Sequence, residues 1–178
     1  MNDRHLAWLF IGQWKGNRKK TVDRLIDSRI GPHFAGQTKD GAENAHLYAD
    51  SKLCLVTHGQ EKIECFRQYA ATAGGCLPVL LCRDDEFSDA YDYFDVTPPW
   101  PNYATLDTLI QGMRDLLGDP GRLQAMQDAN AKWWKSMKSE MQRHVMSHLP
   151  TESGRMDPSK PPPLARMGSY SMPTKTPP

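Results

Sequence analysis

SKLCLVTHGQEKIECFRQYAATAGGCLPVLLCRD, residues 51–84, contains one complete structural unit. An apolar run at residues 53–56 leads into a polar turn, His58-Gly59-Gln60. Ile63, Phe66, Ala70 and Ala73 then recur on the three-to-four spacing of a helix over residues 63–73. Gly74-Gly75 stops that helix, and residues 76–82 form a second apolar run rich in Val and Leu. Strand, loop, helix and strand in that order predict two parallel strands joined by a right-handed crossover. In such a unit a ligand sits beyond the carboxyl ends of the strands, near the start of the following helix. His58, Gly59, Glu64 and Arg67 occupy that position.

Toward the N-terminus, residues 5–12 (HLAWLFIG) read as a buried strand ended by Gly12, and residues 13–17 as a polar turn containing Lys15 and Gly16. Val22, Leu25 and Ile26 mark a short amphipathic helix over residues 18–26 with a basic first turn. Positive charge at a helix start opposes the dipole, so propensity does not account for it. The pattern fits either a bound anion or a solvated basic face. Residues 31–44 read as a loop, with or without a short edge strand, and residues 45–50 as one or two helical turns.

Toward the C-terminus, DDEFSDAYD, from residue 84 on, reads as an acidic loop, followed by a third short apolar stretch at residues 93–96. Pro98-Pro99-Trp100-Pro101 breaks the chain rigidly. Thr105 or Asp107 caps a helix carrying Leu106, Leu109, Ile110, Met113, Leu116 and Leu117, which Gly118-Asp119-Pro120 ends. The longest helix follows over residues 120–149. Leu123, Met126, Trp133, Met137, Met141, Val145 and Leu149 form its apolar stripe, and such a stripe is core rather than a cofactor box. From Pro150 on, eight prolines fall in 29 residues with Ser, Thr and Lys. That composition predicts a disordered tail over residues 150–178 behind one ordered lobe over residues 1–149.

With 22 basic and 21 acidic side chains, a net charge of +1 provides no global field for nucleic acid or for a membrane surface. Cys54, Cys65, Cys76 and Cys82 lie on or beside the apolar runs without CxxC spacing, which predicts buried thiols and no zinc site. No run approaches the roughly 18 apolar residues of a membrane helix, and no signal-peptide pattern stands at the N-terminus, so the chain as written reads as soluble. The expected architecture is α/β, a Rossmann-like parallel sheet of about four strands flanked by helices.

The blocks HLAWLFIGQWKGNRKKTVDRLID and LYADSKLCLVTHGQEKIECFRQYAATAGGCLPVLL, followed by a long helical C-terminus, resemble the C-terminal half of exostosin-like glycosyltransferases, glycosyltransferase family 47, nearest the ribitol-phosphate xylosyltransferase branch. The resemblance covers residues 4–149, with Gly59, Glu64, Arg67, Tyr69, Gly75 and Pro78-Val79 matching the family pattern. It implies the C-terminal lobe of a GT-B glycosyltransferase, binding a nucleotide sugar (a UDP-sugar donor) for transfer to a glycan or glycoprotein acceptor. It also implies inverting chemistry without metal or other cofactor, no nucleic-acid partner, and a Golgi lumenal or membrane-associated setting. The resemblance leaves unmatched the family's N-terminal lobe, which carries the acceptor site and usually the general base. The chain is thus expected to be either a fragment whose second lobe lies upstream or on a partner chain, or a one-lobe remnant. The sequence departs from the pattern at Ala70, where the family has the glutamate that holds the ribose hydroxyls.

Transfer from a nucleotide sugar builds negative charge on the leaving diphosphate, which fixed cations and helix N-terminal amides stabilise. Arg67 suits that task, or a structural ion pair. Lys15 and Arg18 offer further cations beside Gly12, and Gly12 and Gly59 admit close approach of backbone to phosphate. His58 reads as a base or as an ordinary turn residue. Glu64 either orients Arg67 or touches the ligand. Two functional readings therefore compete: the donor-binding lobe of a glycosyltransferase, and a non-catalytic binding or interaction module built on the same fold. A third, an unrelated Rossmann-like enzyme, lacks a GxGxxG or Walker signature.

Overall fold

Trp8 and Phe10 alternate with Leu9 and Ile11 along the first strand, and all four are buried. A strand apolar on both faces belongs in the middle of a covered parallel sheet, and that is its position. The computed structural model describes residues 3–13, 16–58, 63, 66–92 and 96–148. Their elements run β1 (Leu6–Ile11), α1 (Asn17–Asp27), β2 (His33–Gly36), α2 (Gly41–Asp50), β3 (Ser51–Val56), α3 (Phe66–Ala73), β4 (Leu77–Leu81), α4 (Asp84–Tyr91), β5 (Asn102–Tyr103), α5 (Leu106–Gly118) and α6 (Pro120–His148). The five strands form one sheet in the order β2-β1-β3-β4-β5. Every pairing is parallel.

Two apolar layers follow from the alternation. Trp8, Phe10, Leu53, Leu55, Leu77 and Val79 face α1 and α5, meeting Val22, Leu25, Leu109, Met113 and Leu116. Leu9, Ile11, Cys54, Val56 and Leu80 face the other way, meeting Tyr48, Ala71, Phe87, Tyr91 and Trp133. Helix α6 serves both layers. Leu123 and Met126 pack into the first, Trp133, Trp134 and Met137 into the second. Between them Gln127 Nε2 donates to the Lys52 carbonyl at 3.1 Å, at the start of β3.

One buried side chain ties this half of the molecule together. Asn130 Oδ1 accepts from Trp100 Nε1 at 2.8 Å and from Thr72 Oγ1 at 3.1 Å, while its Nδ2 donates to the Cys76 carbonyl at 3.3 Å. At the end of α3, Gly75 takes φ +75° and the Cys76 amide returns to the Ala71 carbonyl, a glycine-terminated helix stop.

Several expectations change. DDEFSDAYD is helix α4, not a loop: three acidic residues fill its first turn, where the dipole favours them, and Phe87, Ala90 and Tyr91 are buried. Arg83 N donates to Glu86 Oε2 at 2.9 Å, a one-sided cap, since the arginine side chain has no acceptor to return the bond. Helix α2 begins at Gly41, because the Asp40 carboxylate accepts from the Glu43 amide at 2.8 Å. The sheet has five strands rather than four, β5 lying beyond the proline run. Trp133 and Met137, from the apolar stripe of α6, are buried against this chain's own core, and Trp133 Nε1 donates to the Val96 carbonyl at 2.8 Å. Residues 93–95, Cys65, Leu149 and the segment 150–178 lie outside the described residues.

The chain divides into two compact units, Met1–Ser139 and Glu140–Pro178. The sheet lies in the first. In the second, the described residues continue α6, with Met141, Val145 and Met146 exposed and Glu140 paired with Arg143 at 3.9 Å. No helix among the described residues is long and apolar enough to cross a membrane.

Candidate functional site

The strand order reverses direction between β1 and β3: the chain moves from β1 outward to β2, then returns to build β3, β4 and β5 on the other side. The crossover helices diverge there and leave a crevice at the carboxyl ends of the strands. A cavity of about 650 Å³ opens at that end of the sheet. Gln13, Arg18 and Thr21 border it from the β1–α1 side, and Thr57 and His58 from the end of β3. Cys82 and Glu86 border it after β4, and Leu106 at the start of α5.

Gly16, the N-cap of α1, has φ +55° and brings no side chain to cap the helix. The first turn that follows is Asn17, Arg18, Lys19 and Lys20, with no acidic residue. Arg18 Nε donates to the His58 carbonyl at 3.1 Å, tying the β1–α1 turn to the turn after β3. His58 Nε2 lies 3.5 Å from Glu86 Oε1, joining the same turn to α4. The Arg83 amide holds the Glu86 carboxyl below its ordinary value, and the charges of Arg83 and His58 add to that. Burial pushes the Cys82 thiol up to about 12. The Thr57 hydroxyl is buried and finds no hydrogen-bond partner among the described residues.

Arg67 does not border this cavity; it reaches from α3 to the end of β1. It is 5% exposed, and its Nε donates to the Ile11 carbonyl at 2.5 Å. Its guanidinium carbon lies 5.4 Å from the ring centres of both Phe10 and Phe66. A Cβ on Gly12 would come within 2.5 Å of Arg67 Nη2, so glycine is what lets the guanidinium lie against that backbone.

Of the residues singled out in the sequence, Gly12 and Arg67 meet each other, and Arg18 and His58 meet each other, all at the carboxyl ends of β1 and β3. Lys15, Gly59 and Glu64 lie outside the described residues. Ala70 is half-buried and packs against the aromatic layer that also holds Tyr69 and Trp134. Thr57, Cys82 and Glu86 were not anticipated. Thr57 and Glu86 each had a signal, a polar residue directly after an apolar run and an acid in a helix's first turn, but only the strand order brings them together.

This architecture is an α/β, GT-B glycosyltransferase-like fold. The chain is similar to the crystal structure of an α1,3-fucosyltransferase, with a TM-score of 0.52 and 15% identity over 70% of this chain and 37% of that one. It thus spans well under half of the fucosyltransferase's length. No protein-family model and no curated protein matches the sequence.

Proposed function

We propose that this chain is the nucleotide-sugar-binding lobe of a glycosyltransferase of the exostosin-like class. It takes a UDP-sugar donor, with a glycan or glycoprotein as acceptor and the Golgi lumen as the setting that goes with that class. The observation carrying this reading is the cavity at the point where the strand order reverses, bordered by an uncapped, basic helix start. A volume of about 650 Å³ lies within the roughly 300–1,000 Å³ usual for small-ligand sites. Arg18 and the amides of α1's first turn supply positive potential for a leaving diphosphate, and Arg67 fixes the neighbouring turn at Gly12. Lys15 and Gly59 belong to the same two turns by sequence, and Glu64 to the start of the helix that follows. The transfer is inverting and needs no metal in this reading, and a second lobe, from other polypeptide or a partner chain, brings the acceptor and its base.

Titration calorimetry with UDP tests the donor site. Wild-type chain should bind, and Arg18→Ala should weaken binding about ten- to a hundredfold, the loss of one charge-assisted contact. No binding at millimolar UDP would sink the reading.

Ala70 favours a second reading, a non-catalytic binding module. Alanine packed against an aromatic layer offers no acceptor for a ribose hydroxyl. UDP binding without hydrolysis or transfer of any UDP-sugar, even with candidate partner lobes added, would select that reading.

A further inference from the structure

The apolar stripe of α3 faces away from the sheet on which the helix lies. Phe66 and Ala73 are exposed and Tyr69 and Ala70 half-buried, while the inward side carries Arg67, Gln68, Ala71 and Thr72. A surface helix ordinarily buries its apolar stripe and shows solvent its polar one. Here three polar side chains are committed inside. Arg67 Nε donates to the Ile11 carbonyl, Gln68 Nε2 to the Tyr91 hydroxyl at 2.6 Å, and Thr72 Oγ1 to Asn130 Oδ1. Turning the helix to hide the stripe would break all three bonds in a buried setting, so the stripe stays outside.

Trp134 of α6 widens the strip, its ring centre 6.4 Å from that of Tyr69. Phe66 is 68% exposed. An exposed phenylalanine beside a half-buried tyrosine and tryptophan makes a contiguous apolar patch, and such patches mark contact with another molecule.

Two properties of the strip select its partner. Phe66, Tyr69, Ala70 and Ala73 carry no charge at neutral pH, and the whole chain has a net charge of +1. Lys138 Nζ, 5.6 Å over the Trp134 ring, stands at the α6 margin. An uncharged face is matched by one equally uncharged, and two such chains approach without strong mutual repulsion. The sizes are also ordered, with aromatic residues in the first half of the strip and alanines in the second. Its midpoint falls between Tyr69 and Ala70. A second copy laid antiparallel about a two-fold axis there sets Phe66 on the partner's Ala73 and Tyr69 on the partner's Ala70, and the reverse. Bulk meets hollow at each contact, as interlocking helices require.

We propose that the outer face of α3, with Trp134 beside it, is a self-association surface through which two copies of this chain form a two-fold dimer. The strip is short, so the dimer is weak, with a dissociation constant of about 10–100 μM.

Sedimentation velocity on the full chain, from about 5 to 500 μM, tests it. Wild type should pass from monomer to dimer across that range. Phe66→Glu and Ala73→Lys each place a charge where the helix dipole favours it, so both variants should fold, as circular dichroism checks. Each alone should remain monomeric. Mixed in equal amounts they should pair with each other, because one contact of the mixed dimer joins opposite charges and the other is unaltered. A wild-type chain still monomeric at the highest concentration would overturn the proposal and leave the strip to a different polypeptide. A dimer that neither substitution weakens would lie elsewhere on the surface and overturn it too. Variants that separate but do not pair when mixed would refute the antiparallel register, and the proposal with it.

Discussion

Arg67 Nε donates to the carbonyl of Ile11, 56 residues earlier in the chain, and the bond fixes the last residue of β1 to the first turn of α3. The rings of Phe10 and Phe66 and the bare Cα of Gly12 also lie against the guanidinium. Because the bonded group is charged and almost fully buried, the contact stabilises both the strand end and the direction in which the chain leaves it.

Arg67→Met keeps the stem length and deletes the donor. It should cost about 1.5–3 kcal/mol, the range for a hydrogen bond to a charged group whose acceptor is left buried. Urea unfolding measures it, and Arg67→Lys should recover only part of the loss because an ammonium lacks the planar geometry. A loss below a few tenths of a kcal/mol would show that the bond does not hold the turn.

Gly12→Ala should be destabilising in wild type, since the new methyl group meets the guanidinium at 2.5 Å. The cost for such overpacking is about 1–3 kcal/mol. In the Arg67→Met background most of that cost should vanish. A double-mutant cycle with strictly additive effects would contradict the contact.

Asn130→Leu should be among the most destabilising single changes in the chain, at about 3 kcal/mol or more. It strands Trp100 Nε1, Thr72 Oγ1 and the Cys76 carbonyl in a buried setting. Thermal unfolding should show the fall in midpoint, and near-ultraviolet dichroism a changed Trp100 signal. An unchanged midpoint would remove Asn130 from its proposed role.

Alkaline pH should destabilise the fold through Cys82. Its thiol titrates near 9.0 ordinarily and at about 12 when folded, because burial disfavours the thiolate. The unfolded chain therefore releases a proton first as pH rises above 9. The stability contributed by this group is complete below that value and is lost progressively up to about 12. Cys82→Ala should flatten that part of the stability profile, and wild-type Cys82 should react slowly with iodoacetamide at neutral pH. Fast alkylation of the folded protein would overturn the assignment.

The central strands were legible because burial on both faces leaves continuous apolar runs, as at Leu53–Val56 and Leu77–Leu81. Helix α3 was legible at its end, which Gly74-Gly75 marks, but not at its start: the spacing suggested residue 63, and the helix runs Phe66–Ala73 with Ile63 outside it. Helix α4 was hidden by its own charge: Asp84, Asp85 and Glu86 look like loop composition, yet they are favoured in a first turn, and the apolar positions behind them number only three. Strand β5 has two residues and no period to read. Gly12 and His58 could be singled out because each adjoins the end of an apolar run, and Arg18 because it opens a basic helix start. Glu86 and Cys82 could not, since their place beside Thr57 depends on β4 pairing with β3, a relation between segments rather than a pattern within one.

Both margins of the sheet are brief. Strand β2 has four residues and β5 two, the latter entered through Pro101, which has no amide proton to donate. Long bare margins invite other chains to hydrogen-bond onto a sheet, in recognition or in aggregation. This sheet offers little main chain for such growth. Any polypeptide that joins it must approach across the strand tips or the helical flanks, and self-templated stacking through the sheet is disfavoured by construction.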